Sequence, residues 1–307
     1  MMTFITTCKP FGDHFKIIQL NAIRSWLRFC PPCEVIILGR TEGVEEIAKN
    51  YGLKYIPDVP VNRYGTPLLD GLVKIGSQNA SHETICLINS DIILLNINWN
   101  VLHKLTTTLS KYMITARRID LDVRELLDYT DEKTIQWLMT NIKNLDRRGN
   151  DLFIFRKGTI EEHVKPLAIG RGDHARLLIY LALKMKIPVI DATNIITLIH
   201  QKHDYSHIKY SQKTITRGIE IAFTPEGKYN ETLLEYASYF GGQDCNYYIS
   251  DGYLKRKTGL LSMVREMVKV PLLSEQITYI LRKIRRHTPV KAKRIIREIL
   301  FKLGLFY

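Results

Sequence analysis

The sequence predicts an α/β fold with a mostly parallel central sheet, helices on both faces and a basic helical tail. Three observations carry this. Short β-rich runs alternate with helix-periodic stretches through the first hundred residues. Residues 85–95 form an apolar run too short for a helix of ordinary length, which reads as a strand buried on both faces. Basic charge is concentrated at the end: residues 254–307 hold 14 Lys and Arg against three Glu, whereas the first 253 residues hold 30 basic and 28 acidic groups. The expected division is residues 1–250 as the α/β domain and 251–307 as the tail.

Taken in order, residues 4–7 read as a first strand. Asp13 is a candidate N-cap for a helix to about Phe29, with Phe15, Ile18, Ala22, Trp26 and Phe29 on one apolar stripe. Residues 34–38 are a second strand. Residues 42–51 are a helix stopped by Gly52, and residues 53–56 are a third strand. A loop follows, and Thr66 with Pro67 is a good N-cap and N1 pair for a helix to about Asn79. That helix leads into residues 85–95. Residues 99–109 are expected to be helical and 112–117 to form a strand. Residues 120–144 are charged and partly helical. Gly149, Asn150 and Asp151 read as a turn into another strand, Asp173 as the cap of a helix over 174–186, and residues 188–190 and 195–199 as late strands.

Composition excludes several classes. Five scattered cysteines in 307 residues point to reduced thiols, not a disulfide framework. Cys30 and Cys33 have redox spacing but fall where a helix ends, so a thiolate-stabilising helix N-terminus is missing. The first residues lack a basic and an apolar region, so no signal peptide is expected; nor is a spanning helix. Without GxGxxG or GxxxxGK[ST], neither a dinucleotide site nor a P-loop is expected. The near-neutral body argues against nucleic acid as a partner.

Within the apolar run, Asp91 is an acid where a buried strand tolerates only a paired or metal-bound one. Ligands of open α/β sheets bind beyond the carboxyl ends of the strands, which makes Asp91 a site candidate.

At Asn89-Ser90-Asp91 the chain resembles the GT-A-type glycosyltransferases, whose Rossmann-like fold carries an Asp-any-Asp motif at the end of a central strand. Other similar pieces are Thr6-Thr7-Cys8-Lys9-Pro10-Phe11, Gly65-Thr66-Pro67-Leu68-Leu69-Asp70, Gly149-Asn150-Asp151, and Ile190-Asp191-Ala192-Thr193 followed by the histidine-rich stretch from His200 to His207. Together they cover roughly residues 1–250.

The resemblance implies a nucleoside-diphosphate sugar as donor and Mn2+ or Mg2+ as cofactor. Asp91 occupies the metal-ligand position, and Asn89 replaces the first acid; its amide oxygen can accept a ribose hydroxyl or a metal-bound water. His200 is the expected second ligand, with His203 and His207 in reserve; a hydrogen-bonded loop network is the competing reading of all three. Asp173 is the candidate base for an inverting transfer, set against a plain N-cap, and Asp151 is the alternative base or an acceptor contact. Thr6, Thr7, Glu42 and Asp70 are candidate donor contacts. Arg117 and Arg118 are candidate phosphate partners, of which one can face inward.

Residues 279–307 are amphipathic and cationic, suited to an anionic membrane surface or to packing on the body. The expected acceptor is a glycan or a lipid-linked sugar, and the expected location cytoplasmic, peripheral on a membrane. The alternatives are a catalytically silent transferase-like fold and a nucleic-acid-binding protein with a basic arm.

Overall fold

Alternation along the first strands decides which side each residue takes. β1 (Met2–Thr6), β2 (Cys33–Leu38), β3 (Lys54–Ile56) and β4 (Thr84–Ile88) lie parallel in the order β3-β2-β1-β4. Phe4, Ile37 and Cys86 share one cluster with Ile23 and Trp26 of α1 (Asp13–Phe29). Ile5, Ile36 and Ile85 share another with Leu72 of α3 (Leu69–Asn79) and Leu177 of α6 (His174–Lys184). Both faces of the sheet are therefore covered, as a parallel sheet requires. The computed structural model describes residues 1–30, 32–172, 174–203 and 224–258.

Beyond β4 the pairing is mixed. β7 (Arg147–Arg156) lies antiparallel between β4 and β6 (Met113–Leu121). β6 is parallel to β8 (Val189–Asp191), which is followed by β10 (Tyr247–Ser250) and β11 (Tyr253–Arg256). The sheet thus runs past residue 250 to Arg256. β5 (Ile92–Ile97) pairs antiparallel with β9 (Ile196–Gln201), and β9 joins the far half of β6. α2 (Val44–Tyr51), α4 (Trp99–Thr108), α5 (Glu132–Ile142) and α7 (Pro225–Leu234) complete the described helices. None of those described is long and apolar enough to cross a membrane. The cysteines are free, as their scatter suggested.

Several boundaries differ from the sequence reading. Residues 85–95 are two strands, not one. The chain turns at Asn89-Ser90-Asp91, where Ile92 N donates to Asn89 O at 3.2 Å, and the two apolar halves pair with different partners. Gly12, not Asp13, holds the N-cap position of α1. α3 begins at Leu69 with Leu68 at its N-cap, because Leu68 is held extended opposite Ala168 and Pro67 O accepts from Ile169 N. Arg117 and Arg118 lie inside β6, and Gly149 lies inside β7 at φ +50°, beside a break in the β6–β7 register. Gly52 ends α2 at φ +64°, the left-handed stop that its position predicted.

The order β3-β2-β1-β4 has a consequence for ligands. From β1 the chain crosses to β2 on one side, while β4 lies on the other, and loops leaving β1 and β4 in opposite senses open a crevice at their carboxyl ends.

Candidate active site at the β1–β4 crevice

Three segments meet there. The chain after β1 supplies Lys9, whose backbone is locked by Gln19: Lys9 N donates to Gln19 Oε1 at 2.6 Å, and Gln19 Nε2 donates to Lys9 O at 2.9 Å. The turn after β4 supplies Asp91, fixed from behind by Gln201 N donating to Asp91 O at 3.1 Å. Trp26 anchors the next residue, its Nε1 donating to Ile92 O at 2.9 Å while its ring stacks on Phe4. The β5–β9 register sets Ile92 opposite His200, and the chain continues to His203.

The side chains converge on Asp91 Oδ2. His203 Nε2 lies 3.1 Å from it and His200 Nε2 lies 3.7 Å from it. Lys9 Nζ is 3.4 Å from His203 Nε2 and 4.5 Å from the centre of the Phe15 ring, against whose edge His203 also packs. Asp120 stands behind His200, its Oδ1 3.1 Å from Nδ1 without an aligned hydrogen bond, because β6 and β9 pair Asp120 with His200. Burial works against ionisation of Asp91. His200, the hydrogen bond with His203 and the Lys9 charge outweigh it and hold the carboxyl well below its usual range.

The set fits a divalent ion. One carboxylate oxygen and two ring nitrogens from Asp91, His200 and His203 lie within 4.8 Å of one another, and Asp91 Oδ1 is buried with no hydrogen-bond partner among the described residues. A carboxylate facing the second ring nitrogen of a ligating histidine is the arrangement that fixes such a ring.

A second cluster adjoins the first. Asp151 Oδ1 accepts from Asn89 Nδ2 at 2.9 Å, its Oδ2 accepts from Arg118 Nη1, and Arg118 Nε donates to Asp120 Oδ1 at 3.1 Å. Both carboxylate oxygens of Asp151 are thereby engaged. Burial works against the Arg118 charge, but Asp151 and Asp120 outweigh it and raise its pKa above the usual arginine value.

The remaining candidates spread along the same edge of the sheet. Thr6 is buried, its hydroxyl donating to Thr7 O at 3.4 Å. Thr7 Oγ1 and Asp70 Oδ1 are buried without hydrogen-bond partners among the described residues. Glu42 is exposed ahead of α2. Beyond β2 and β3 a cleft of about 560 Å³ is lined by Arg40, Thr41, Asp58, Val59, Pro60 and Pro67, among others. Gly39, at φ +99°, lets Thr7, Val59 and Pro67 close around it. Glu226 braces the loop behind this cleft, accepting from Asn62 Nδ2 at 2.7 Å and Arg171 Nε at 2.6 Å. Asp173, His207 and residues 279–307 lie outside the described residues.

The sequence reading pairs Asp91 with His200 and keeps His203 only in reserve, and it does not name Lys9, Asp120 or Gln201 as parts of the site. The alternation of Arg118 and Asp120 was the one available signal for Asp120.

No family model matches the chain, and no curated protein does. Among solved structures, Staphylococcus aureus TarS 1–349 in complex with UDP-GlcNAc is 11% identical, with a TM-score of 0.43, covering 68% of this chain and 61% of that one. GalNAc-T7 with UDP, GalNAc and Mn2+ is 10% identical, with a TM-score of 0.44, covering 78% of this chain and 51% of that one. The chain thus spans less than two thirds of either. At this level of overlap the reading of the site rests on the chain's own residues.

Proposed function

We propose that the chain is a glycosyltransferase that moves a sugar from a nucleoside-diphosphate sugar to an acceptor hydroxyl. The observation that carries the reading is Asp91: a half-buried carboxylate whose buried Oδ1 has no partner among the described residues, beside two histidines and a lysine, where an α/β sheet binds its ligands. The cleft beyond β2 and β3 has the volume for a nucleoside, and Thr7 and Asp70 offer unspent polar atoms for donor contacts.

Asp91, His200 and His203 would hold the metal ion, with Asp120 steadying the His200 ring. Two ring nitrogens suit Mn2+ better than Mg2+, which prefers oxygen and water. A divalent ion, when bound, supplies positive charge against which a departing diphosphate is stabilised. Lys9 adds a fixed charge at the same place, held there by Gln19. Asn89 spends its amide nitrogen on Asp151 and keeps its oxygen for a ribose hydroxyl.

The proton of the acceptor needs a base if the transfer inverts configuration. Asp151 is occupied by Arg118 and Asn89, so we assign that role to Asp173, just ahead of α6. In this reading the acceptor is a glycan or lipid-linked sugar, residues 279–307 rest on an anionic membrane, and the protein is cytoplasmic and peripheral.

Thermal-shift screening with UDP-, GDP-, CMP- and dTDP-sugars, with and without Mn2+, tests the reading. Stabilisation by one donor that requires Mn2+ and is lost in Asp91→Ala is expected. No response to any donor would remove the basis of the proposal.

A further inference from the structure

One charged cluster plays no part in the site described above. Asp191, the last residue of β8, is surrounded by three cations from three different elements. Arg117 Nε of β6 and Lys257 Nζ, just past β11, each lie 3.9 Å from Asp191 Oδ2. Arg147, at the start of β7, donates from Nη1 to Thr193 O at 3.1 Å. Asp191 Oδ1 is already used, accepting from Thr193 N at 3.0 Å and from the Thr193 hydroxyl. A separation of 3.9 Å exceeds a hydrogen bond, and the side chains of Arg117 and Lys257 make none among the described residues. Two partly exposed cations therefore keep their donors unspent, and three positive charges share one carboxylate. Burial and then the Arg117 charge make it harder for Arg147 to hold its proton, as expected of cations crowded together.

Position gives the cluster its meaning. β4, β6 and β8 all run the same way, so Asp191 and the turn at Asn89-Ser90-Asp91 lie on one edge of the sheet. Three strand spacings separate them, about 14 Å. Thr115 of β6 pairs with Asp191 on one side and with Phe153 on the other, and the Phe153 ring meets that of His174, the first residue of α6. The cluster thus borders the end of the sheet that His174, the first residue of α6, packs against, away from the cleft beyond β2 and β3.

We propose that Arg117, Arg147 and Lys257 bind an oxyanion, a phosphate or carboxylate, carried by the acceptor. The guanidinium fork of Arg117 matches either group, and Asp191 gathers the cations at one place. The assignment to the acceptor rests on the transferase reading; the anion site itself rests on the cluster.

Calorimetric titration of the full chain, without nucleotide sugar, tests it. The probes are glycerol 3-phosphate and glucuronate, with glycerol and glucose as neutral twins. At least one anion is expected to bind while its twin does not, and the pair of probes tells phosphate from carboxylate. Binding should weaken about tenfold in the Arg117→Gln/Lys257→Gln variant and tighten about threefold in Asp191→Asn, given the strength of single-charge contacts at this distance near water. The tightening cannot come from a damaged fold. Equal affinity in the wild type and the double variant, or no anion binding at all, overturns the proposal. Anion binding in a protein that responds to no nucleotide sugar overturns the acceptor role and the transferase reading together. A donor response without anion binding overturns this proposal alone.

Discussion

Asp91 and Asp151 sit a few residues from the same crevice, bridged by Asn89, and differ in what holds them. Asp151 has a partner on each oxygen, Asn89 on one and Arg118 on the other. Asp91 has its two histidines gathered on Oδ2 and nothing on Oδ1 among the described residues. A buried polar atom without a partner costs about 1–3 kcal/mol, and such a cost is commonly retained at binding sites. The same comparison accounts for Asn89. An acid at that position would place a second carboxylate against Asp151, where the amide instead donates a hydrogen bond. The pattern Asn-Ser-Asp follows from the neighbouring strand.

The contrast can be broken by exchanging what the two carboxylates do. Asp91→Ala should lower transfer by about 1,000-fold, the scale of the several kcal/mol that a lost metal ligand represents, in a protein that still folds. Turnover assays with the donor found by thermal shift would show it. Asp151→Asn should act on folding instead. It leaves Arg118, only 22% exposed, with Asp120 as its remaining counter-charge. Losing one partner of such a pair costs about 3 kcal/mol, measurable by urea unfolding. A catalytic defect at Asp151 with unchanged stability would reverse the assignment and make it the better candidate for the base.

How much of this was legible in the sequence depends on whether the signal is local. α1 was foreseen to its last residue, Phe29, because its stripe repeats every three to four positions, and Gly52 stopped α2 where the glycine said it would. Asp91 stood out because an acid interrupts an apolar run. The break between β4 and β5 did not show, since both halves are equally buried and their partners, β1 and β9, are remote in sequence. Lys9 and Asp120 enter the site for the same remote reason. β9 lies beside β6 through a register that no periodicity within either strand announces.

Asp120 offers a finer test of the contrast, because it serves both clusters. Its Oδ1 accepts from Arg118 Nε and faces His200 Nδ1. Asp120→Asn keeps a similar shape but gives up the charge behind the ring. Metal affinity should fall by about 10- to 100-fold, the range for carboxylates that orient a ligating histidine, with a smaller loss of stability than Asp151→Asn. Mn2+ titration of the full chain would measure the first and urea unfolding the second. An unchanged Mn2+ affinity would leave Asp120 as a partner of Arg118 only.

The smallest expected effect concerns acid. The Asp91 carboxyl is held below its ordinary value of 3.8, despite its burial, by His200, His203 and Lys9. A carboxylate depressed on folding contributes stability that is fully present above its unfolded value and is lost as the pH falls through its folded one. Wild type and Asp91→Asn, both stripped of metal with a chelator, should therefore differ in stability at neutral pH. The difference should narrow steadily as the pH falls below 3.8, where the unfolded wild-type chain binds a proton that the folded Asp91 carboxylate resists. Urea midpoints across that range give the comparison directly. A gap that stays constant would mean that the charge on Asp91 does not stabilise the fold, and that the histidines around it are placed for a ligand and not for Asp91 itself.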